Sequence, residues 1–208
     1  MRPVVSLAFA GLALASCAPA EPPDAAAPAT MSFVAEARPA ATLPDARWDH
    51  KPQAEQWTEA ALTALKGHGA PLVSMVPEDA DTWCPAYADA TAEDRKAFWV
   101  GLLSALAKHE STWRPHVSGG DHQWHGLLQI SPATARGYGC AADSAEELKN
   151  GEANLKCALR IMAYTVPRDG VIAADGGGVA ADWAPFHNAE KRADMVSWTR
   201  AQDYCRPS

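Results

Sequence analysis

Among the residues able to do chemistry, Glu110 stands out by its position. It follows Phe98, Trp99, Leu102, Leu103 and Leu106, whose spacing predicts a helix toward Glu110. At about 100° per residue, Glu110 falls roughly 20° from Trp99 and Leu103 and 40° from Leu106 around the axis. The carboxyl therefore ends an apolar stripe instead of joining the polar face. Burial disfavours its ionised form, and the negative end of the helix dipole acts in the same direction. A carboxylic acid held protonated near neutral pH is a general acid. From this helix alone, a structural glutamate satisfied by an arginine or by capping contacts is the more ordinary reading.

The loop Asp121-His122-Gln123-Trp124-His125 holds the next candidates. Asp121 is placed to be a second carboxylate that activates water, although an Asp beside Gly119-Gly120 is more simply a turn residue. His122 and His125 read as solvated or substrate-facing rings, and neither a metal nor a cofactor is expected. Trp113 and Trp124 offer broad apolar faces suited to sugar rings. Trp99 and Trp198 read as core.

Glu110-Ser111 is followed by Gly126-Leu127-Leu128-Gln129-Ile130-Ser131, then Pro132-Ala133-Thr134-Ala135, then Asn154-Leu155. In order and spacing this series resembles the lytic transglycosylases of the soluble (SLT) type. Their pattern is Glu-Ser, Gly-Leu-Met-Gln-Ile, Pro-x-Thr-Ala and Asn-Ile. Leu128 stands where Met is usual, a volume-conserving exchange, and Leu155 stands for Ile. The resemblance covers about residues 91–165. It implies a mainly α, lysozyme-like α+β fold, with a small β-hairpin beside the active-site cleft. It also implies an enzyme that cleaves the β-1,4 bond between N-acetylmuramic acid and N-acetylglucosamine in peptidoglycan, leaving a 1,6-anhydromuramoyl end. Glu110 then serves as the one catalytic carboxylate, acid first and base second.

The same resemblance implies substrate-binding roles for other residues. Ser111 would orient Glu110 or close the helix end. Gln129 has an amide that both donates and accepts. Thr134 and Ser118 match hydroxyl residues of the pattern, and Trp113, Trp124 and Phe186 are expected along the cleft. The chain departs from the family at its Ala-Tyr-Asn motif. Ala163-Tyr164-Thr165 falls too early, and Trp183-Ala184-Pro185-Phe186-His187-Asn188 is the better counterpart, so Phe186 or His187 replaces the tyrosine. Two alternatives stand beside this reading: a lysozyme-type muramidase that adds water, and a non-catalytic peptidoglycan-binding lipoprotein.

Several elements must position these residues. The pattern predicts a helix from Trp48 to Gly69, a surface wrap over residues 70–90 and a helix capped by Thr91 with Asp94. A hairpin is expected within 118–131, and Ser131-Pro132 is expected to start a short helix. Ser144 with Glu147 starts another, residues 152–165 follow as a helix, and a last helix covers roughly 189–203. Strand-rich and α/β classes do not fit.

The chain has 208 residues and a formal net charge of −7, which suits one domain and excludes the basic face that nucleic acid requires. Residues 1–16, with one Arg and an apolar run, read as a signal peptide. Leu14-Ala15-Ser16-Cys17 resembles the lipobox of bacterial lipoproteins, in which Cys17 is the lipidation site. In that family Ala18, rather than Asp, favours the outer membrane. A periplasmic, lipid-anchored protein of a Gram-negative bacterium is therefore expected, acting as a monomer on peptidoglycan strands. Residues 17–46 form an Ala/Pro-rich tether and 47–208 the domain. The remaining four cysteines read as two disulfides. Cys140–Cys157 is favoured by closeness in sequence, and Cys84–Cys205 would tie the domain's ends.

Overall fold

Thr91 starts the central element. Its hydroxyl accepts from the backbone N–H of Asp94, and the helix it caps, α4, runs Ala92–Glu110. In the computed structural model, which describes residues 42–207, every residue from Lys96 to Ala107 is buried. So α4 is not the one-sided helix that the apolar stripe predicts. Its second face is lined by small residues that let neighbours come close. Tyr204 lies against Gly101, and Ser104 accepts the backbone N–H of Arg47 while donating to the Gly101 carbonyl.

Around α4 pack α1 (Ala54–Lys66), α2 (Ala70–Ser74) and α7 (Ala189–Ala201). A second long helix, α6 (Gly151–Asp169), lies against α1 and the turn Gly178–Ala181. Between α4 and α6 the chain makes β1 (Ser118–Gly119), β2 (Trp124–His125) and α5 (Pro132–Gly137). The strands are antiparallel, with Ser118 opposite His125 and Gly119 opposite Trp124. A short α3 (Ala80–Trp83) completes the set. The class is mainly α with a small hairpin, as expected.

Three local expectations fail for physical reasons. Trp48–Gln53 turns instead of continuing α1. Trp48 is buried with its indole N–H on Thr58, which pulls this segment onto the core. Residues 70–90 do not merely wrap the surface. Leu72, Trp83 and Tyr87 plug into the core, and the Trp99 indole donates to both the Leu72 carbonyl and the Tyr87 hydroxyl. Apolar residues spaced singly among Asp and Ala hide such a segment from periodicity. Ser144 and Glu147 do form their capping bonds, but only a 3-10 turn, Glu147–Lys149, follows. Asn150 then caps α6 by accepting from Ala153 N–H.

The leader, Cys17 and most of the tether lie outside the described residues. Ala46, assigned to the tether, is already buried, so the packed chain begins slightly before residue 47.

Both expected disulfides are present, Cys84–Cys205 and Cys140–Cys157. Their loops span 121 and 17 residues. By chain entropy, opening the long loop costs about 5 kcal/mol and opening the short one about 3 kcal/mol. Paired Ser substitutions should therefore lower stability more at Cys84/Cys205 than at Cys140/Cys157 in denaturant titration. The reverse order would show that the short bridge relieves no chain entropy alone but also holds local packing.

Candidate active site

Glu110 is the last residue of α4 and is half-buried. Its carboxyl makes no hydrogen bond among the described residues, so none stabilises the anion. Burial pushes its pKa up to about 7, and the nearby Lys191 ammonium on α7 opposes part of that shift. The group is thus poised between acid and base at neutral pH.

The chain behind Glu110 is sharply bent. Thr112 and Trp113 both adopt left-handed backbone, at φ 53° each, although neither is glycine. The Ala107 carbonyl secures the bend by accepting the N–H groups of Ser111 and Trp113. Ser111 itself is buried. Its hydroxyl donates to Ala107 O and accepts from Arg114 N–H. The serine therefore closes the helix end, one of the two roles expected of it.

The hairpin and its return loop are held from below by Asn154, a residue outside the expected site. Buried in α6, it accepts from Leu128 N–H at 2.9 Å and donates to the carbonyls of His125 and Leu148, both at 2.9 Å. One side chain thus replaces a missing strand for the Gly126–Gln129 turn. Gly126, at φ 83°, has no room for a Cβ between Leu148 O and the Asn154 amide. Its Asn-Leu motif was legible in the sequence, but the three-way bond was not.

The remaining expected residues divide. Gln129 holds left-handed backbone (φ 48°) and donates its amide to Gly126 O and Val117 O, which leaves Oε1 as its unspent group. Ser118 Oγ bonds His125 Nδ1 across the hairpin at 2.8 Å. Thr134 shares a hydroxyl bond with Ser131, whose Oγ also accepts the Thr134 N–H, so this threonine serves the start of α5. Trp124 is 45% exposed and its ring lies over Gly120, leaving a face open to solvent. Trp113 is different. Its indole N–H goes to Ser104 O, His50 meets the ring edge-on at 4.7 Å and the Lys51 ammonium lies 5.7 Å from the ring centroid. These contacts hold the ring in place, half-buried.

Phe186 requires the clearest correction. It is 1% exposed and packs on Trp83, so no substrate reaches it. Pro185 at the start of the turn Ala184–His187 bends the chain so that Phe186 points inward. His187 meets Ala180 O, and Asn188 caps α7. None of the four tyrosines bonds Glu110. Tyr87 donates to Leu72 O, Tyr138 to Asp182 and Tyr204 to Asp45 O, while Tyr164 stands exposed.

A charge cluster braces α4 beside Glu110. Asp194 of α7 accepts both guanidinium nitrogens of Arg47 (2.6 and 2.8 Å), the Lys108 ammonium and the His109 Nε2–H. The Arg47 bonds hold the Asp194 carboxyl far below the usual range, while burial pushes His109 down. His109 is therefore a neutral donor at pH 7. A depressed acid stabilises the fold above its unfolded pKa of about 4 and loses that contribution as pH falls. Asp194→Asn should cost about 2 kcal/mol at pH 7, discounted for partial exposure. Thermal melts should show this gap shrinking toward pH 3. A gap independent of pH would mean that packing, and not charge, is lost.

Residues 88–178 match the family model described as the transglycosylase SLT domain. The SLT segment contains α4, the hairpin, α5 and α6, and with them Glu110, Gln129 and Asn154. The helices α1, α2, α3 and α7 lie outside it. The fold is lysozyme-like. Similar solved structures include a wild-type form of Bd0314 DslA and two of its glutamate-to-glutamine mutants. Each is 27% identical, with 80% of this chain and 100% of theirs covered, at TM-scores of 0.72, 0.73 and 0.71 respectively. No curated protein matches the chain by sequence.

Proposed function

We propose that this protein is a lytic transglycosylase that cuts peptidoglycan, with Glu110 as its only acid and base. The observation that carries the reading is a half-buried carboxyl, without a hydrogen bond among the described residues and raised to about 7, within the segment that matches the SLT domain. Glu110 O–H protonates the oxygen linking N-acetylmuramic acid to N-acetylglucosamine. The C1–O bond breaks, and positive charge develops at C1 and the ring oxygen, where the substrate's own N-acetyl group stabilises it. Lys191 favours the carboxylate that Glu110 has become. That carboxylate then takes the proton of the muramoyl C6 hydroxyl as O6 bonds to C1. The product is a 1,6-anhydro sugar, no water is consumed, and Glu110 ends protonated again. Trp124 and the Gln129 Oε1 are the groups proposed to meet the glycan.

One observation favours a second reading. The two glutamates altered in the Bd0314 DslA mutants lie eleven positions apart, the same separation as Glu110 and Asp121 here. Asp121 is exposed at the hairpin tip, at φ 52°. On this reading it activates a water, and the product is a reducing sugar. Mass spectrometry of digested peptidoglycan separates the two, since the products differ by one water. Anhydro ends that persist in Asp121→Asn support the transglycosylase. Reducing ends that vanish in Asp121→Asn establish the hydrolase. Binding without any cleavage would sink both.

We further propose that Cys17 carries a lipid and that the Ala/Pro-rich segment tethers the domain to the periplasmic side of an outer membrane. An anchor of this kind keeps an acidic domain beside an anionic polymer that would not attract it by charge.

A further inference from the structure

On the surface formed by the end of α5, one side of α6 and His68, two depressions of about 460 and 450 Å³ share His68 and Arg160 as lining residues. They lie on either side of these two residues, and together they are called the groove below. Tyr138 and Tyr164 stand at one end, their rings 5.7 Å apart and roughly perpendicular. Tyr164 is 60% exposed, the highest value among the exposed large apolar side chains described. The Arg168 guanidinium lies 5.9 Å from its ring centroid and is itself paired with Asp169. At the other end the groove runs past Lys156 to the Cys140–Cys157 bridge.

Its charge runs against that of the whole chain. Lys156 and Arg160 lie four residues apart on one face of α6, and neither makes an ion pair or a side-chain hydrogen bond among the described residues. His68 donates its Nε2–H to Lys156 O, which pins the groove wall. Glu152 is the one acidic residue lining the groove. Two unpaired cations beside one exposed and one half-buried aromatic ring therefore sit on a chain of net charge −7. Tyrosine faces suit sugar rings, and guanidinium and ammonium groups suit carboxylates. Glu110 lies elsewhere, at the end of α4 beside α7, and shares no lining residue with this groove.

We propose that this groove is a second binding site for the same anionic glycan, separate from the site of cleavage. The tyrosines stack on sugar rings, and Arg160 with Lys156 takes the free carboxylates of the stem peptides that the muramic acid residues carry. The choice of glycan rests on the function proposed above. The site would hold a neighbouring strand while Glu110 works on another, which gives the acidic domain a local hold on an anionic polymer.

The test is co-sedimentation of the full chain carrying Glu110→Gln with insoluble peptidoglycan, across a salt series. Tyr164→Ala and Arg160→Gln are added singly, and melting curves confirm that both stay folded. Each should weaken binding roughly tenfold. Arg160→Gln should also flatten the salt dependence, because one carboxylate contact is gone. Affinity equal to that of the parent in either variant overturns the proposal, as does a salt slope unchanged by Arg160→Gln. Product analysis of the wild-type chain is read separately. Cleavage with no dependence of binding on Tyr164 or Arg160 rejects the groove and keeps the enzyme. Dependence of binding on both residues without cleavage keeps the groove and rejects the enzyme.

Discussion

Glu110→Gln should abolish peptidoglycan cleavage and at the same time make the protein more stable. The amide keeps the size and shape of the acid but has no proton to give, so the loss should be roughly 10²–10⁴-fold or more. The stability gain follows from the raised pKa of about 7. An unfolded glutamate ionises near 4.3, so between that pH and about 7 the folded wild type gives up stability to keep its proton. Gln carries no such penalty. Thermal melts should show no advantage for the variant near pH 4. Above pH 7 the advantage should be on the order of 1–3 kcal/mol, after a discount for residual solvent contact. Wild-type cleavage should also decline as pH rises through about 7, because the first step needs the protonated acid. A variant that is inactive but less stable at pH 8 would contradict the idea that desolvation holds the proton there.

The second large effect is expected far from the chemistry. Asn154→Ala removes one acceptor and two donor bonds at once: Leu128 N–H and Leu148 O lose the Asn154 amide, and His125 O keeps only its bond from Ile130 N–H. Unpaired buried polar groups cost about 1–3 kcal/mol each, so a loss of roughly 3–5 kcal/mol is expected. His125 O and Ile130 O each retain a backbone bond across the return of the loop, so the hairpin should loosen instead of vanishing. Cleavage should fall even in the folded fraction, since Gln129 and Trp124 lose their fixed placement. Activity normalised to folded protein, measured by circular dichroism, checks this. A variant with normal specific activity and reduced stability would confine Asn154 to the fold.

The strain in the chain points to the same segment. Among the described residues, five of the six non-glycine residues with positive φ are Thr112, Trp113, Asp121, His122 and Gln129. All lie between Glu110 and the start of α5. Left-handed backbone costs of order 1 kcal/mol at such residues and persists where surrounding bonds over-determine it. Here those bonds come from Ala107, from the Gln129 amide and from Asn154.

Much of this protein could be read from local chemistry. Thr91 and Ser131 start helices by capping the first free N–H groups, an effect that reaches only three residues along the chain. The helix toward Glu110, the hairpin within 118–131 and the Cys140–Cys157 bridge were legible for the same reason, because periodicity, turn residues and spacing act over short range. Glu110 was legible because a carboxyl in register with Trp99, Leu103 and Leu106 is out of place. Burial by distant partners was not. Whether Trp113 faces a sugar or packs against His50 and Lys51 depends on a segment some sixty residues earlier. Phe186 looked like a tyrosine substitute until the Pro185 turn aimed it at Trp83. Ser111 spends its hydroxyl on α4 only because the chain bends sharply at Thr112 and Trp113. Such outcomes rest on contacts between residues far apart in the chain, and no spacing rule encodes which of those neighbours arrives first.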